Sequence, residues 1–140
     1  MKNKIKFTIE YDFTISEVWK AITDKNAVSQ WLMPCDIEPT VGHKFQFTTE
    51  SNLFFNGIID CEVLEVKENE LFSYSWNGGS LKHTIVIFRL KELNNKTVLD
   101  FEHNGFDGLF NKIVVQKVLS NGWKSKILPI SLLNYLEQNG

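Results

Sequence analysis

The sequence is poor in the features that mark secreted and membrane-spanning proteins. Its two cysteines, Cys35 and Cys61, have no CxxC spacing, so we expect two buried, reduced thiols rather than a disulfide framework or a metal site. No apolar run approaches the roughly 20 residues needed to cross a bilayer. The amino terminus alternates apolar and polar residues and does not form a signal-peptide block. These absences predict a cytoplasmic protein with no membrane span.

Excess positive charge and familiar catalytic motifs are also missing. A formal net charge of −2 with a pI near 5.9 offers no basic face for phosphates, so we expect no nucleic-acid partner. No Gly-rich phosphate loop, GxSxG elbow or metal-ligand spacing occurs, and the three histidines are scattered. We therefore expect a chain that is not an enzyme, with no cofactor, no metal and no catalytic residue.

Aromatic residues, by contrast, are abundant. Eleven Phe, four Trp and three Tyr stand in 140 residues, a length that fits a single domain over residues 1–140. Each such side chain buries about 150–250 Å². The composition favours a thick core or a lined cavity.

The amino-terminal segment has the signals of a strand followed by two short helices. Residues Lys4 to Tyr11 alternate as in a half-buried strand. Thr14 stands three residues before Glu17, the spacing of a capping box, and a helical apolar pattern follows. Asp24 can cap a second short helix, which Pro34 stops.

From residue 40 onward the apolar period changes to two, which predicts a series of strands. Asn77-Gly78-Gly79 and Asn94-Asn95 are turn signals. The apolar phase slips after Val63, where a β-bulge would reconcile the two halves of one strand. Each predicted strand has residues of one parity in common: Phe45 and Phe47 in the first, Ile59, Cys61 and Val63 in the second, Phe72, Tyr74 and Trp76 in the third, Thr84, Val86, Phe88 and Leu90 in the fourth, and Leu99, Phe101 and His103 in the last.

Residues from about Asp107 to Gln138 return to helical periodicity. An α-helical period places Trp123, Ile127, Ile130 and Leu133 near one face, with Leu136 beside them. Gly122 and Pro129 lie inside this segment, so we expect a bend or a break into two helices. The order of elements is that of an α+β domain in which the last helix covers a curved antiparallel sheet. Such an arrangement leaves a concave space, the usual shape of a small-molecule site.

Several short motifs, in order, resemble the SRPBCC or START-like superfamily, and within it the AHSA-type branch related to the activator of the ninety-kilodalton heat-shock chaperone's ATPase. The resemblance covers nearly the whole chain and includes a strand end similar to the family's H-x-G-F. The motifs are Val18–Asp24 with Trp31-Leu32, Val41-Gly42, Glu62–Val66, Phe72–Trp76, His103–Phe106, Gly122-Trp123 and Tyr135–Glu137.

The resemblance implies a START-like, Bet v-like helix-grip fold, β-α-α-β6-α, with about six or seven strands and a cavity between the sheet and the long C-terminal helix. Proteins that look like this include ligand carriers, cyclase-type proteins and chaperone activators, so the fold alone does not fix the function. We expect a monomer or a homodimer.

The leading hypothesis is a noncatalytic protein that holds a small hydrophobic or amphipathic ligand, such as a lipid. His103, Tyr74 and Trp76 could fix the polar end of that ligand, although His103 also fits as a hydrogen-bonded core histidine. The alternative is a stress-related, chaperone-interacting module, with a filled interior and an exposed apolar patch. A cyclase- or hydrolase-like enzyme using His103 as a base is a third hypothesis. The cavity candidates are Trp31, Tyr74, Trp76, Phe88, Phe101, His103, Phe106, Trp123 and Ile127.

Overall fold

The computed structural model describes residues 4–53 and 55–139, and it begins with the predicted strand and helix pair. Strand β1 spans Lys4–Tyr11, helix α1 spans Ile15–Thr23 and helix α2 spans Lys25–Trp31. Both predicted caps are confirmed, because the side chains of the N-cap residues accept backbone N–H bonds in the first turn of each helix. Thr14 Oγ1 accepts from the Glu17 N–H at 3.2 Å, and Asp24 Oδ2 accepts from the Ala27 N–H at 3.0 Å.

The sheet has six antiparallel strands in the order β1-β6-β5-β4-β3-β2, so the first strand of the chain pairs with the last. The expectation was about six or seven strands, and the described residues form six. The strands after α2 are β2 Lys44–Thr48, β3 Ile58–Lys67, β4 Leu71–Gly78, β5 Leu81–Leu93 and β6 Lys96–Asn104.

Successive side chains of a strand alternate between the two faces of the sheet. In each strand, the residues of the predicted apolar parity face the interior. On β6, for example, Leu99, Phe101 and His103 are fully buried. The register of β3 against β4 shifts between Val63 and Glu65, which confirms the predicted bulge. The shift returns Val66 to the core, where it pairs with Phe72 and packs partly buried.

A continuous helical rod follows the sheet and is called the C-terminal helix below. It consists of a π-helical segment Asn111–Val115, an α-helical segment Gln116–Gly122, a π-helical segment Trp123–Leu132 and an α-helical segment Leu133–Asn139. The expected break into two helices at Gly122 or Pro129 is wrong, because helical residues run without interruption from Asn111 to Asn139. The chain accommodates Pro129 within the second π-helical segment. Prolines and π-bulges are both positions where helices bend, so the expected bend stays a prediction.

The π-helical turn also changes which side chains of the C-terminal helix face the sheet. A π-helix bonds residue i to residue i+5, so its period is longer than that of an α-helix. Trp123, Leu128 and Leu132 are buried at intervals of five and four residues, whereas Ile130 is 53% exposed. The predicted inward position of Ile130 is therefore wrong, because it assumed a uniform α-helical period.

A buried hydrogen bond fixes the C-terminal helix to β1, an edge strand of the sheet. The Tyr11 hydroxyl, at the end of β1, donates to the Leu128 carbonyl oxygen at 2.7 Å. Tyr11 is 1% exposed, so the bond lies away from water. It connects residues separated by 117 positions in the chain and holds the middle of the helix against the sheet.

Replacing Tyr11 by Phe removes this bond and leaves the Leu128 carbonyl without its donor. We expect the free energy of unfolding to fall by about 1–3 kcal/mol, the usual cost of an unsatisfied buried polar group. Urea unfolding followed by circular dichroism measures the change. Tyr135→Phe, in a half-buried tyrosine near the end of the same helix, serves as the control. Equal stabilities of Tyr11→Phe and the wild type would show that the bond does not hold the helix.

Candidate functional site

The predicted cavity residues lie in the interior between the sheet and the C-terminal helix, or directly beside it. Eight of the nine are at most 5% exposed, and Ile127 is half-buried. Trp31 lies on α2, and its indole N–H donates to the Ala21 carbonyl of α1 at 2.8 Å. Its hydrogen bond therefore joins the two short helices. The remaining rings come from β4, β5, β6, the loop after β6 and the C-terminal helix.

Five of these rings contact one another and are called the ring cluster: Trp76, Phe101, His103, Phe106 and Trp123. The Trp123 ring lies 4.6 Å from Phe101 and 5.7 Å from Trp76, measured between ring centroids. His103 lies 4.8 Å from Phe106 and 5.3 Å from Trp76. These are the separations of rings in direct contact. The space expected to hold a ligand is thus occupied by the side chains that were expected to line it.

His103 forms a directed chain of hydrogen bonds inside the ring cluster. The Trp123 indole N–H donates to His103 Nδ1 at 3.3 Å. Because an indole can only donate, Nδ1 is an acceptor and the neutral ring carries its proton on Nε2. Nε2 therefore donates to Thr84 Oγ1 at 3.0 Å, and the Thr84 hydroxyl donates to the Trp76 carbonyl at 2.5 Å. Both ring nitrogens of His103 are occupied by the protein's own groups.

Burial also determines the charge of His103. The ring is fully buried, and desolvation lowers its pKa from the ordinary 6.5 to about 3. At neutral pH the imidazole is therefore uncharged and engaged on both sides. The arrangement suits a side chain that links β6, β5 and the C-terminal helix better than one that accepts a proton from a substrate.

Tyr74 continues the aromatic interior towards the other edge of the sheet. Its ring packs 5.4 Å from Phe45, 5.9 Å from Phe47 and 6.2 Å from Phe88. Burial raises the pKa of the Tyr74 phenol, which stays protonated. The sequence predicts Tyr74 as a cavity residue, but it does not predict that Phe45 and Phe47 are its neighbours, because local periodicity does not reveal the order of the strands in the sheet.

The cysteines are free thiols, as expected, but only one of them is fully enclosed. Cys61 is 5% exposed, whereas Cys35 is half-buried, so the prediction of two buried thiols is wrong for Cys35. Burial raises the pKa of both thiols, which keeps them in the less reactive protonated form. Among the described residues no group of three or more His, Cys, Asp or Glu is placed to hold a metal ion.

Three clefts open elsewhere on the described surface. One of about 190 Å³ lies between α1 and the end of the C-terminal helix and includes Glu17 and Tyr135. One of about 420 Å³ lies beside both short helices, and one of about 470 Å³ lies at the outer strand β2. None of the nine predicted cavity residues lines any of the three. Within residues 4–53 and 55–139, no helix is both long and apolar enough to cross a bilayer.

The six-stranded sheet, the long terminal helix and the ring cluster between them define a helix-grip domain of the SRPBCC type. Its family is set by sequence: the chain belongs to the family described as Activator of Hsp90 ATPase homolog 1-like protein, whose model matches residues 12–132. A comparison with curated proteins gives no match.

Solved structures share this fold over nearly their whole length. Protein MLL2253 from Mesorhizobium loti is 26% identical with a TM-score of 0.81, covering 96% of this chain and 98% of its own. The Aha1 dimer from Colwellia psychrerythraea is 16% identical with a TM-score of 0.75, covering 91% and 92%. PFC0360w, an HSP90 activator from Plasmodium falciparum, is 21% identical with a TM-score of 0.71, covering 90% and 91%.

The buried, neutral His103 makes stability dependent on pH. Its pKa is lower in the folded than in the unfolded chain, so the unfolded state binds more protons between about pH 3 and 6.5. The contribution of the neutral His103 to the free energy of unfolding is therefore fully present above about pH 6.5, and it is lost as the pH decreases from about 6.5 to 3. We expect His103→Gln, which cannot titrate, to lose about 2–3 kcal/mol less than the wild type between pH 7.5 and 4.5.

Urea unfolding of both proteins across this range isolates the histidine, because the carboxylates titrate equally in the two. Parallel pH profiles for wild type and His103→Gln would contradict a buried neutral imidazole.

Proposed function

We propose that this chain is a noncatalytic binding domain that acts through its outer surface on a partner protein, an Hsp90-type chaperone ATPase. The observation that carries the proposal is the filled interior, where the ring cluster occupies the space that a guest molecule would need. A domain with such an interior has its outer surface left for recognition. Family membership and the likeness to the Plasmodium falciparum HSP90 activator support a chaperone as the partner.

The chemistry of the interior supports a role without catalysis. The one buried imidazole has both nitrogens bonded to Trp123 and Thr84, and its pKa is lowered to about 3. A general base works best with a pKa near the working pH and with a free nitrogen aimed at its substrate. His103 has neither property, so the enzyme hypothesis is the weakest of the three.

The chaperone proposal is tested by titrating the Hsp90-type ATPase of the source organism with this protein and measuring phosphate release. We expect stimulation that saturates, because an activator shifts the chaperone towards a conformation that hydrolyses ATP. Trp76→Phe is the matched interior control, since Trp76 is 4% exposed and its replacement leaves the outer surface intact. It should stimulate as well as the wild type. The absence of both stimulation and binding at saturating concentrations would refute the proposal.

A second function, enclosure of a small hydrophobic ligand, is favoured by a different observation. The segments Asn111–Val115 and Gln116–Gly122 contain no buried residue, so this half of the C-terminal helix is held less firmly than the half that carries Leu128 and Leu132. A shift of this half away from the sheet would open a path to the ring cluster, where His103 and Trp123 could orient a polar group.

Thermal-shift measurements with lipids, isoprenoids and aromatic polyketides test this second function. A ligand of the interior at about 100 times its dissociation constant stabilises the fold by about 2.7 kcal/mol and raises the melting temperature. The rise should be smaller in Trp76→Phe, whose interior is altered. A panel without any stabilising compound would leave the chaperone function as the sole proposal.

A further inference from the structure

The first half of the C-terminal helix turns apolar side chains outward. Exposed positions recur in pairs every four residues from Leu109 to Val118, and five of these six positions are apolar. We call these five residues the apolar stripe: Leu109 is 71% exposed, Phe110 62%, Ile113 50%, Val114 44% and Val118 64%. Single exposed apolar residues are ordinary, but a contiguous group on one helix face marks an interaction surface.

The side of this segment that faces the sheet makes both apolar and polar contacts. Val115 and Leu119 pack partly buried against the core, and polar side chains beside them bond to backbone carbonyls. The Asn111 amide donates to the Ser80 carbonyl at 3.1 Å. The Gln116 amide donates to the Lys4 carbonyl at 3.1 Å, while its buried Oε1 has no hydrogen-bond partner. An ordinary surface helix turns its apolar residues inward and its polar residues outward, whereas this segment carries five further apolar residues on its exposed side. The packing of the domain itself thus gives no reason for the apolar stripe.

Lysines lie within and beside the apolar stripe, although the whole chain is acidic. From Gly108 to Leu136 the sequence has four lysines and no aspartate or glutamate. Lys117 is exposed within the stripe and Lys112 lies beside it, half-buried. Lys4 is also adjacent, through the bond of its carbonyl to Gln116. Asp107, just before the helix, is the nearest acidic residue in sequence.

We infer that the apolar stripe and its lysines dock on the surface of an anionic lipid bilayer. A helix with an apolar face and lysines beside it binds at the headgroup boundary, where burial of the apolar side chains and attraction to anionic lipids act together. Leu109 and Phe110, the first two residues of the stripe, would enter the acyl boundary. Lys112 and Lys117 would extend their ammonium groups to the phosphates.

Two other occupants fit the stripe less well. A second copy of this chain related by a two-fold axis would bring the Lys112 and Lys117 side chains of both copies to one interface, where like charges repel. A partner protein would need a groove that matches a convex helix face, whereas a fluid lipid surface adapts to protruding side chains without one. The inference goes beyond the proposed chaperone function and does not depend on it.

The test is flotation of the full chain with lipid vesicles. The protein should float with phosphatidylcholine vesicles that contain about one-third phosphatidylglycerol, should stay behind with pure phosphatidylcholine, and should be released as salt screens the lysines. Phe110→Ser combined with Val114→Ser should weaken partitioning at least about tenfold. Lys112→Gln and Lys117→Gln should each weaken it about fivefold.

Matched controls use exposed residues of the same types outside the helix. The control variants are Val41→Ser, at a residue that is 62% exposed, and Lys91→Gln, at an exposed lysine of β5. Both should float as the wild type does. Circular dichroism confirms that each variant is folded. Chaperone ATPase stimulation should be unchanged in the stripe variants, which separates this inference from the proposed function.

Three outcomes would overturn the inference. The first is a wild-type protein that does not float with the anionic vesicles, and the second is flotation that the stripe variants do not reduce. The third is a wild-type protein that remains unbound to vesicles but forms a dimer or a chaperone complex that Phe110→Ser and Val114→Ser abolish, since the stripe would then belong to a protein interface.

Discussion

The contact of Trp123 with the sheet is the interaction on which the rest of this structure depends. Its ring packs 4.6 Å from Phe101, and its indole N–H begins the hydrogen-bond chain through His103 and Thr84. A large side chain with one donor can fill apolar space and satisfy a buried nitrogen at the same time. The C-terminal helix, β5 and β6 are thereby joined at one point, and the interior closes there.

Most of the fold follows from local patterns. Strand alternation from Lys4 to Tyr11, the caps Thr14 and Asp24, and the bulge after Val63 were all predictable, because each depends on residues that are close in sequence. The C-terminal helix was predictable in extent but not in phase. Gly122 and Pro129 indicated an irregularity, yet they could not indicate that the chain would absorb it as a π-helical turn and leave Ile130 outside.

The site was predictable as a set of residues but not as an arrangement. Parity placed Phe101 and His103 on the interior face of β6, which the structure has. Thr84 as the partner of His103 depends on the pairing of β5 with β6, and Trp123 as its donor depends on where a helix twenty residues later returns. Whether aromatic rings line a cavity or fill it is decided by three-dimensional packing, which a list of inward residues does not contain.

The closed interior stabilises the domain, and the proposed binding function is accordingly assigned to its surface. The most direct test is hydrogen exchange at the Trp123 indole N–H, measured by NMR and assigned by its disappearance in Trp123→Phe. A sealed ring cluster predicts exchange slow enough to require unfolding of the domain, with a rate that follows global stability. Exchange as fast as that of a solvent-exposed indole would contradict a filled interior and would return the space beneath the helix to a ligand.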